Sequence, residues 1–295
     1  MNLKEYLKKA REEKYAIGHF NFATEDVLKA VVAGAKEAGA PCVMVGTSEG
    51  ESDFVGLLEA VALVKAVSAH LEFPVFLNAD HFKSFEKCKA AIDAGYDSVI
   101  ADGSKLPMAE NIAFTKQVVE HAKSVMGIFT SDVKMPMTSV SVEGELGYLK
   151  GSSEVQQKIE ISSADYSKPE EVADFVAQTG VDRMAVVFGN IHGIVTKQEE
   201  KLDIGHFAKI VSAAPSPAYV LHGASGLSDD DIRAAIQAGI ANVHFNTELR
   251  VAYHDKLKEE MVTMPNETTP YKYLGPAAEE VQKLVAMKTK VFMGK

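Results

Sequence analysis

VFLNADHF, residues 75–82, is an apolar run that ends with an acid beside a histidine. Its first part, Val75–Asn78, is short and apolar, which is typical of a strand buried in a core. Seven similar runs occur along the chain, and amphipathic helical stretches separate them. They are Ala16–Asn21, Cys42–Gly46, Ser98–Ala101, Ser139–Glu143, Met184–Phe188, Ala218–Leu221 and Asn242–Phe245. This alternation predicts a parallel sheet with helices on its outside.

The number of these units distinguishes two α/β architectures. Eight units within 295 residues favour a closed (β/α)8 barrel, or TIM barrel, over an open doubly wound sheet. The N-terminal stretch MNLKEYLKKAREEKY predicts an amphipathic helix ahead of the barrel, and we expect extra helices at the C-terminal end. No linker divides the chain, so the prediction is a single domain over residues 1–295. The polar segment 147–168 fits this pattern poorly, and such long loops are often functional.

Composition and charge argue against some classes of protein. The formal net charge is −10 and the pI about 5.4, so nucleic acid and anionic membranes are poor candidate partners. Cys42 and Cys88 lie in apolar patterns, which is typical of buried reduced thiols. The N-terminus lacks the apolar core of a signal peptide, and no run approaches the roughly 20 residues of a membrane span. We therefore expect a cytoplasmic protein.

Polar side chains follow every predicted strand. The active site of a TIM barrel lies at the carboxyl ends of its strands, so these residues are expected to form a ring on one rim. They are Asn21, Ser48, Glu49, Asp80, His81, Asp102, Glu143, Glu145, Asn190, His192, His222, Ser225, His244, Asn246 and Thr247. The acid and the histidine that end VFLNADHF belong to this ring.

Three of these strand ends carry a histidine next to a glycine or an acid: His81, His192 and His222. One histidine near a strand end is more often only hydrogen-bonded, but three on one rim favour a site for Zn²⁺ or a similar divalent ion. Such a site keeps a fourth position open for substrate. His19 lies within a predicted strand and is expected to be structural, whereas the role of His244 stays open.

Glycine-rich turns follow the sixth and seventh predicted strands, as GNIHG and HGASG, and FNTE ends the eighth. Tight turns between strand and helix need glycine in any case. Backbone N–H groups in such turns can also bind phosphate, and TIM barrels often place phosphate after strands seven and eight. Beside three candidate metal ligands, phosphate binding becomes the favoured interpretation.

Eight motifs together resemble a known family: GHFNF, GTSEGE, NADHF, IADGS, VEGELG, GNIHG, VLHGASGL and FNTELR. In this order and spacing they are similar to the metal-dependent (class II) fructose-bisphosphate aldolases and the related tagatose-bisphosphate aldolases. The resemblance covers nearly the whole chain. It implies a lyase of glycolysis and carbohydrate metabolism that forms or breaks the carbon–carbon bond between glycerone phosphate and glyceraldehyde 3-phosphate. Zn²⁺ held by three histidines would stabilise the negative charge that forms on the ketone oxygen.

The resemblance also implies catalytic roles. Asp80 would take the proton of the C4 hydroxyl in cleavage and return it in condensation. Glu154, the only early acid of the loop after the fifth strand, would remove the C3 proton of glycerone phosphate. The family usually has asparagine at the position of His244, so either Asn246 or His244 would act at the enediolate.

Further residues match binding positions of the family. Glu145 and Asp102 match acids of an alternative or second metal position, or they orient imidazoles. Four residues match the cradle for the ketose-end phosphate, which a monovalent cation often accompanies: Gly193, Gly223, Ser225 and Thr247. Asn21 and Ser48 match residues that reach the far end of the substrate.

Some alternatives stay open at this stage. The family often carries an arginine that reaches a phosphate in a neighbouring subunit, where this chain has Tyr271 and Lys272. Lysine lacks the fork of arginine, so binding of the far-end phosphate is expected to differ. The resemblance implies a homodimer or homotetramer. The alternatives to fructose 1,6-bisphosphate cleavage are a tagatose-1,6-bisphosphate aldolase and a non-catalytic metal- and phosphosugar-binding barrel. A Schiff-base aldolase of the same fold is a weaker alternative, because no lysine lies on the predicted rim.

Overall fold

A computed structural model of the chain describes residues 1–125, 140–198 and 200–295. Ten strands occur in these ranges: β1 (Ile17–Asn21), β2 (Val43–Ser48), β3 (Val75–Phe82), β4 (Ser98–Ala101), β5 (Ser141–Leu146), β6 (Gly151–Gln156), β7 (Arg183–Val186), β8 (His192–Val195), β9 (Ala218–Leu221) and β10 (Ile240–His244). Eight of them close a parallel barrel in the order β1-β10-β9-β7-β5-β4-β3-β2. Each barrel strand coincides with one of the eight predicted strands, and the TIM barrel is confirmed. Ser139, the first residue of the fifth predicted strand, lies outside the described residues.

Helices cover the outside of the barrel, as the alternating pattern predicts. They are α1 (Leu3–Glu13), α2 (Glu25–Glu37), α3 (Glu49–Val55), α4 (Leu57–Leu71), α5 (Phe85–Ala94), α6 (Met108–Ser124), α7 (Pro169–Thr179), α8 (Ile204–Ala213), α9 (Asp229–Ala238), α10 (Thr247–Thr263) and α11 (Pro270–Phe292). The predicted N-terminal helix is α1, which begins with a capping box between Asn2 and Glu5. Helices α10 and α11 follow the last barrel strand.

The segment between β5 and α7 contains regular structure that the sequence did not predict. Strand β6 pairs in parallel with β8, outside the barrel, through Gly151–His192 and Val155–Ile194. Residues 147–168 therefore do not form one continuous loop. The two strands form a small sheet at the carboxyl end of the barrel, where β8 begins with a predicted metal ligand.

Two kinds of buried surface hold the barrel together. Apolar side chains fill the space between strands and helices, and a second apolar cluster that includes Leu3 and Leu7 packs α1 against the strands. Burial of this surface is the main stabilising contribution to such folds. The barrel interior is instead polar near its centre, where Arg183 is fully buried. Both cysteines, Cys42 and Cys88, are buried and unpaired, as predicted.

No single helix within the described ranges is long and apolar enough to cross a membrane. Helices α3 and α4 reach the required length and composition only as a pair, and the two are bent by 82° at Gly56. Ala60, Val64 and Val67 of α4 are buried in the core of this fold.

Candidate active site and metal centre

Strand β3 runs to Phe82, four residues beyond the predicted end at Asn78. Its register with β4 shifts between Ala79 and Phe82, and His81 has a φ of 54°. The left-handed conformation costs a residue with a Cβ about 1–2 kcal/mol, and such strain is concentrated at functional sites. This irregularity breaks the alternation of side chains along the strand, so Asp80 and His81 line the same cavity.

That cavity lies at the carboxyl end of the barrel and has a volume of about 30 Å³. Nine residues line it: Asp80, His81, His192, His222, Gly223, Ala224, Ser225, His244 and Asn246. Asp80 and His81 come from the end of β3, His192 begins β8, and the others lie at or just after the ends of β9 and β10, on the rim that the sequence predicts. The structure therefore brings the three predicted metal ligands and the predicted base to one point.

The three imidazoles form a donor set that suits a divalent metal. Their ligand nitrogens lie within 4.8 Å of one another, and Nε2 of His81 is 3.0 Å from Nδ1 of His222. The opposite nitrogens face carboxylates, since Nδ1 of His81 is 3.1 Å from Asp102 and Nε2 of His222 is 2.6 Å from Glu143. Each outer nitrogen therefore donates to a carboxylate, and the two inner nitrogens face each other. Two inner nitrogens this close share a cation, which is a proton on Nε2 of His81 in the metal-free chain and can be replaced by a divalent metal, so the residues fit a metal.

Charges around the imidazoles favour a cation as well. Burial alone would lower the pKa of His81, but Glu145 and Asp80 raise that pKa well above its ordinary value. The pKa of His192 falls to about 3, because of burial and of repulsion from His81. His192 is therefore neutral, the state that a metal ligand requires.

Asp80 is an ionised acid, and only one of its two carboxylate oxygens accepts a hydrogen bond from the described residues. Burial alone would raise its pKa, but the charge of His81 and a hydrogen bond from Asn21 lower that pKa to about 2. Nδ2 of Asn21 donates to Oδ2 at 2.8 Å. Oδ1 has no hydrogen-bond partner among the described residues and lies 3.5 Å from Nδ1 of His244. An unpaired buried oxygen at this position can accept a hydrogen bond from a bound substrate.

The two predicted metal acids lie on the outer side of His81. Oδ2 of Asp102 accepts a hydrogen bond from Nδ1 of His81 at 3.1 Å, and Oε2 of Glu145 lies 3.0 Å from the same nitrogen. Burial would raise the pKa of Asp102, but this hydrogen bond and the charge of His81 hold it well below its usual range. Of the two roles left open by the sequence, this geometry favours orientation of the imidazole.

Neither of the two residues predicted to reach the far end of the substrate, Asn21 and Ser48, lines the cavity. Nδ2 of Asn21 bridges Asp80 and Glu51, and the backbone N–H of Asn21 donates to Oδ1 of Asn246 at 2.8 Å. Ser48 does not line the cavity, because its hydroxyl caps α3 by accepting from the backbone N–H of Glu51 at 3.3 Å. Asn21 therefore positions the acid directly, and Ser48 fixes the helix beside it.

The glycines of the two turns allow a close approach of backbones. Gly223 has a φ of 70°, and a Cβ there would lie 2.0 Å from the backbone oxygen of Ile191. Gly193 has a φ of 90°, and a Cβ there would lie 2.2 Å from the backbone oxygen of Ser152. Only glycine fits both the space and the left-handed conformation. The GNIHG and HGASG turns thus pack on each other and on β6.

Ser225 and Thr247 lie at the N-terminus of α10. The hydroxyl of Ser225 accepts from the backbone N–H of Glu248 at 3.3 Å, and the hydroxyl of Thr247 is 3.1 Å from that of Ser153. The N-terminus of a long helix carries partial positive charge and free N–H donors. This helix end therefore suits an anion, and two of the four predicted phosphate residues, Gly223 and Ser225, line the cavity beside it.

A family model described as "Fructose-bisphosphate aldolase class-II" matches residues 1–295. The chain belongs to this family. A fructose-bisphosphate aldolase of Geobacillus stearothermophilus is 35% identical over 295 residues, which cover 99% of this chain and 96% of the relative. One of Staphylococcus aureus (strain Mu50) is also 35% identical, with the same coverage. Class II aldolases are metal-dependent lyases that act on phosphorylated sugars, which agrees with the donor set described above.

Solved structures support the same assignment. The YdjI aldolase of Escherichia coli K12 has a TM-score of 0.82 and 28% identity, and the match covers 99% of this chain and 96% of that chain. The fructose-bisphosphate aldolase of Campylobacter jejuni has a TM-score of 0.77 and 20% identity, and the match covers 99% of this chain and 94% of that one. At 20% identity the second likeness concerns the fold alone.

One predicted catalytic residue of the aldolase lies apart from the cavity. Glu154 is exposed on β6, and its carboxylate accepts from the hydroxyl of Ser152 at 3.4 Å. Its neighbour Ser153 contacts Thr247, so β6 lies over the start of α10. The role of Glu154 stays a prediction.

The departures from the usual aldolase pattern have different structural settings. His244 is buried and lines the cavity, between His222 and His19, with ring centroids 4.3 Å and 3.8 Å away. Tyr271 is 73% exposed at the start of α11, and Nζ of Lys272 pairs with Glu267 at 2.7 Å. Of these departures, only the histidine at position 244 therefore changes the cavity of this chain.

The sequence missed the structural roles of two residues, Glu143 and Arg183. Glu143 was placed on the rim without a role, although the alternation in VEGELG puts it on the same face as Glu145. Arg183 precedes the predicted strand Met184–Phe188, where a charged side chain is expected to be exposed. In the structure Nη1 of Arg183 lies 2.6 Å from Oε2 of Glu143, and both side chains are fully buried.

Proposed function

We propose that this chain cleaves fructose 1,6-bisphosphate reversibly to glycerone phosphate and glyceraldehyde 3-phosphate, with Zn²⁺ held by His81, His192 and His222. The pair of inner imidazole nitrogens, 3.0 Å apart beside the unpaired oxygen of Asp80, is the observation that carries the proposal. The names of the relatives that are 35% identical over almost the whole chain support the same substrate.

The side chains around the cavity have different roles in the proposed reaction. A divalent metal bound by the imidazoles supplies a Lewis acid for the negative charge on the ketone oxygen. Oδ1 of Asp80 takes the proton of the C4 hydroxyl in cleavage and returns it in condensation, while Asn21 holds Oδ2 in place. Asn246 lines the same cavity and donates a hydrogen bond to the enediolate oxygens.

The proposed phosphate site lies beside the metal centre. The ketose-end phosphate binds at the N-terminus of α10, against the turns that contain Gly193 and Gly223 and the hydroxyls of Ser225 and Thr247. A monovalent cation accompanies this phosphate. Asn21 and Ser48 lie toward the far end of the substrate.

The proposed second base is Glu154, and its substitution by alanine is expected to slow exchange of the C3 proton of glycerone phosphate. Loss of a general base costs about 10²–10⁴-fold. Exchange into deuterated water, followed by NMR, measures this step without the aldehyde. Glu160→Ala is the matched control, because Glu160 is an exposed acid of the same segment. Exchange at the unmodified rate in Glu154→Ala would transfer the role to another acid.

The substrate is tested by cleavage of fructose 1,6-bisphosphate and tagatose 1,6-bisphosphate in parallel, with coupled detection of triose phosphate. The two sugars differ only in configuration at C4, the carbon whose hydroxyl Asp80 addresses. The proposal predicts the higher kcat/KM for fructose 1,6-bisphosphate, and zinc in the purified protein by elemental analysis. A higher value for tagatose 1,6-bisphosphate would change the substrate. Zinc-loaded protein that cleaves neither sugar would indicate a binding protein.

The proposed assembly is a homodimer or homotetramer of one-domain chains, each spanning residues 1–295. Helix α11 offers a surface for this contact, because its apolar side chains Tyr271 and Met287 are 73% and 52% exposed. The two free, buried cysteines suit the reducing cytoplasm, which is the proposed location.

A further inference from the structure

Arg183 spans the interior of the barrel and binds side chains from four other strands. Its side chain is 0% exposed, and its guanidinium donates hydrogen bonds to four oxygens and forms an ion pair with a fifth, across β3, β4, β5 and β10. These are Oε2 of Glu143 at 2.6 Å, Oγ of Ser98 at 2.7 Å, Oδ1 of Asn78 at 3.0 Å, Oδ1 of Asn242 at 3.1 Å and Oγ of Ser141 at 3.3 Å. A guanidinium only donates, so each partner must turn an oxygen toward it.

Two of these partners also contact an imidazole ring. Oε1 of Glu143 is 2.6 Å from Nε2 of His222, and Oδ1 of Asn242 is 3.3 Å from Nε2 of His244. Both oxygens can only accept, so His222 and His244 must each carry the hydrogen on Nε2. Each ring then presents the lone pair of Nδ1, with His222 facing the metal centre.

A third partner, Asn78, fixes the tautomer of His19, with the hydrogen on Nδ1 instead of Nε2. The oxygen of Asn78 is turned to Arg183, so its amide nitrogen faces Nε2 of His19 at 3.1 Å. The amide donates, and His19 must carry its hydrogen on Nδ1. His19, His244 and His222 stack in this order, with interplanar angles of 18° and 27°. One guanidinium thus connects to every ring of a stack that ends at the metal centre.

We infer that Arg183 is a positioning residue for the metal centre, which through Glu143 and Asn242 sets the nitrogen that His222 and His244 present to the cavity. The inference rests on the metal site proposed above. A reversed tautomer of His222 would carry a hydrogen on Nδ1 and could not bind a metal through that atom. Carboxylates that orient ligating imidazoles commonly change metal affinity by about 10–100-fold when they are removed.

Glu143→Gln gives the sharpest test. Arg183 would keep the glutamine oxygen, so the glutamine NH₂ group would face Nε2 of His222 and reverse its tautomer. Nitrogen-15 NMR of labelled histidine in metal-free protein reads the protonated nitrogen of each ring. We expect hydrogen on Nε2 of His222 in the unmodified chain and on Nδ1 in the variant. Zn²⁺ affinity, measured against a competing chelator, is expected to fall by about 10–100-fold.

Arg183→Lys and Asn242→Leu extend the test to His244. Arg183→Lys removes the donor that holds Oδ1 of Asn242, and Asn242→Leu removes that oxygen. In both variants His244 is therefore expected to become a mixture of tautomers. Only Arg183→Lys is expected to weaken Zn²⁺ binding, by about tenfold, because Asn242 has no link to His222. Asn242→Leu also decides the question if Arg183→Lys does not fold. Lys288→Met is the matched control, because it removes a buried cation, paired with Asp229 at 2.9 Å, outside the barrel.

The outcomes separate this inference from the proposed function. Folded Glu143→Gln with unchanged ring signals and unchanged Zn²⁺ affinity would overturn the inference. So would Arg183→Lys or Asn242→Leu with unchanged signals of His244, or Lys288→Met with changed signals of the stacked rings. A chain that shows the expected tautomers but cleaves no ketose bisphosphate would contradict the proposed function and leave the role of Arg183 standing.

Discussion

His222→Ala is expected to lose bound zinc and aldol cleavage together. His222 supplies the inner nitrogen that lies 3.0 Å from Nε2 of His81, and two imidazoles bind a divalent metal far more weakly than three. The metal contributes several kcal/mol of charge stabilisation, so kcat/KM is expected to fall by about 10³-fold or more. Zinc per chain by elemental analysis, together with triose phosphate release, measures both effects in one preparation.

The control for this change is His206→Ala. His206 contacts the backbone oxygen of Ser167 at 2.8 Å and lies outside the cavity, so zinc content and cleavage should stay unchanged. His222→Ala that keeps one zinc per chain and normal cleavage would remove His222 from the ligand set. Because the ring is buried, the folded fraction of each variant should be compared by thermal unfolding.

Asp80→Asn is expected to separate metal binding from turnover. The amide keeps the size of the carboxylate but cannot take the proton of the C4 hydroxyl, so kcat is expected to fall by about 10²–10⁴-fold. Zinc content should remain, because Asp80 is not one of the three imidazole ligands. Fructose 1,6-bisphosphate cleavage and elemental analysis measure the two quantities.

Asp97→Asn is the matched control for this substitution. Asp97 is a partly buried acid at the opposite end of the barrel, and it accepts from the backbone N–H of Leu77 at 2.8 Å. The change from acid to amide there should leave cleavage unchanged. Normal turnover by Asp80→Asn would show that another group takes the proton, with His244 the nearest candidate, 3.5 Å away.

The strands and the polar rim could be predicted because the signal is local. Each barrel strand is a short apolar run with a polar end, and the parallel arrangement brings those ends together. The end of β3 was placed four residues early, at Asn78. The strand continues past this point through an irregularity at His81, and a non-glycine residue in the left-handed conformation gives no sequence signal.

The polar centre of the barrel could not be predicted, because its contacts join distant parts of the chain. Arg183 meets Asn78 across 105 positions and Ser98 across 85. A charged residue is stable inside a barrel only when such partners satisfy it, and their positions follow from the closed fold. Glu154 shows the reverse case, since the resemblance suggests a catalytic role, whereas the structure leaves its side chain exposed and outside the cavity lining.

The most direct test of the metal centre is cleavage of fructose 1,6-bisphosphate after chelation and after return of zinc. Protein treated with EDTA should lose cleavage, and added Zn²⁺ should restore it as the metal content approaches one per chain. Magnesium at the same concentration should not restore cleavage, because three imidazoles suit zinc and magnesium prefers oxygen ligands. Full cleavage by protein shown to be free of divalent metal would contradict the role proposed for His81, His192 and His222.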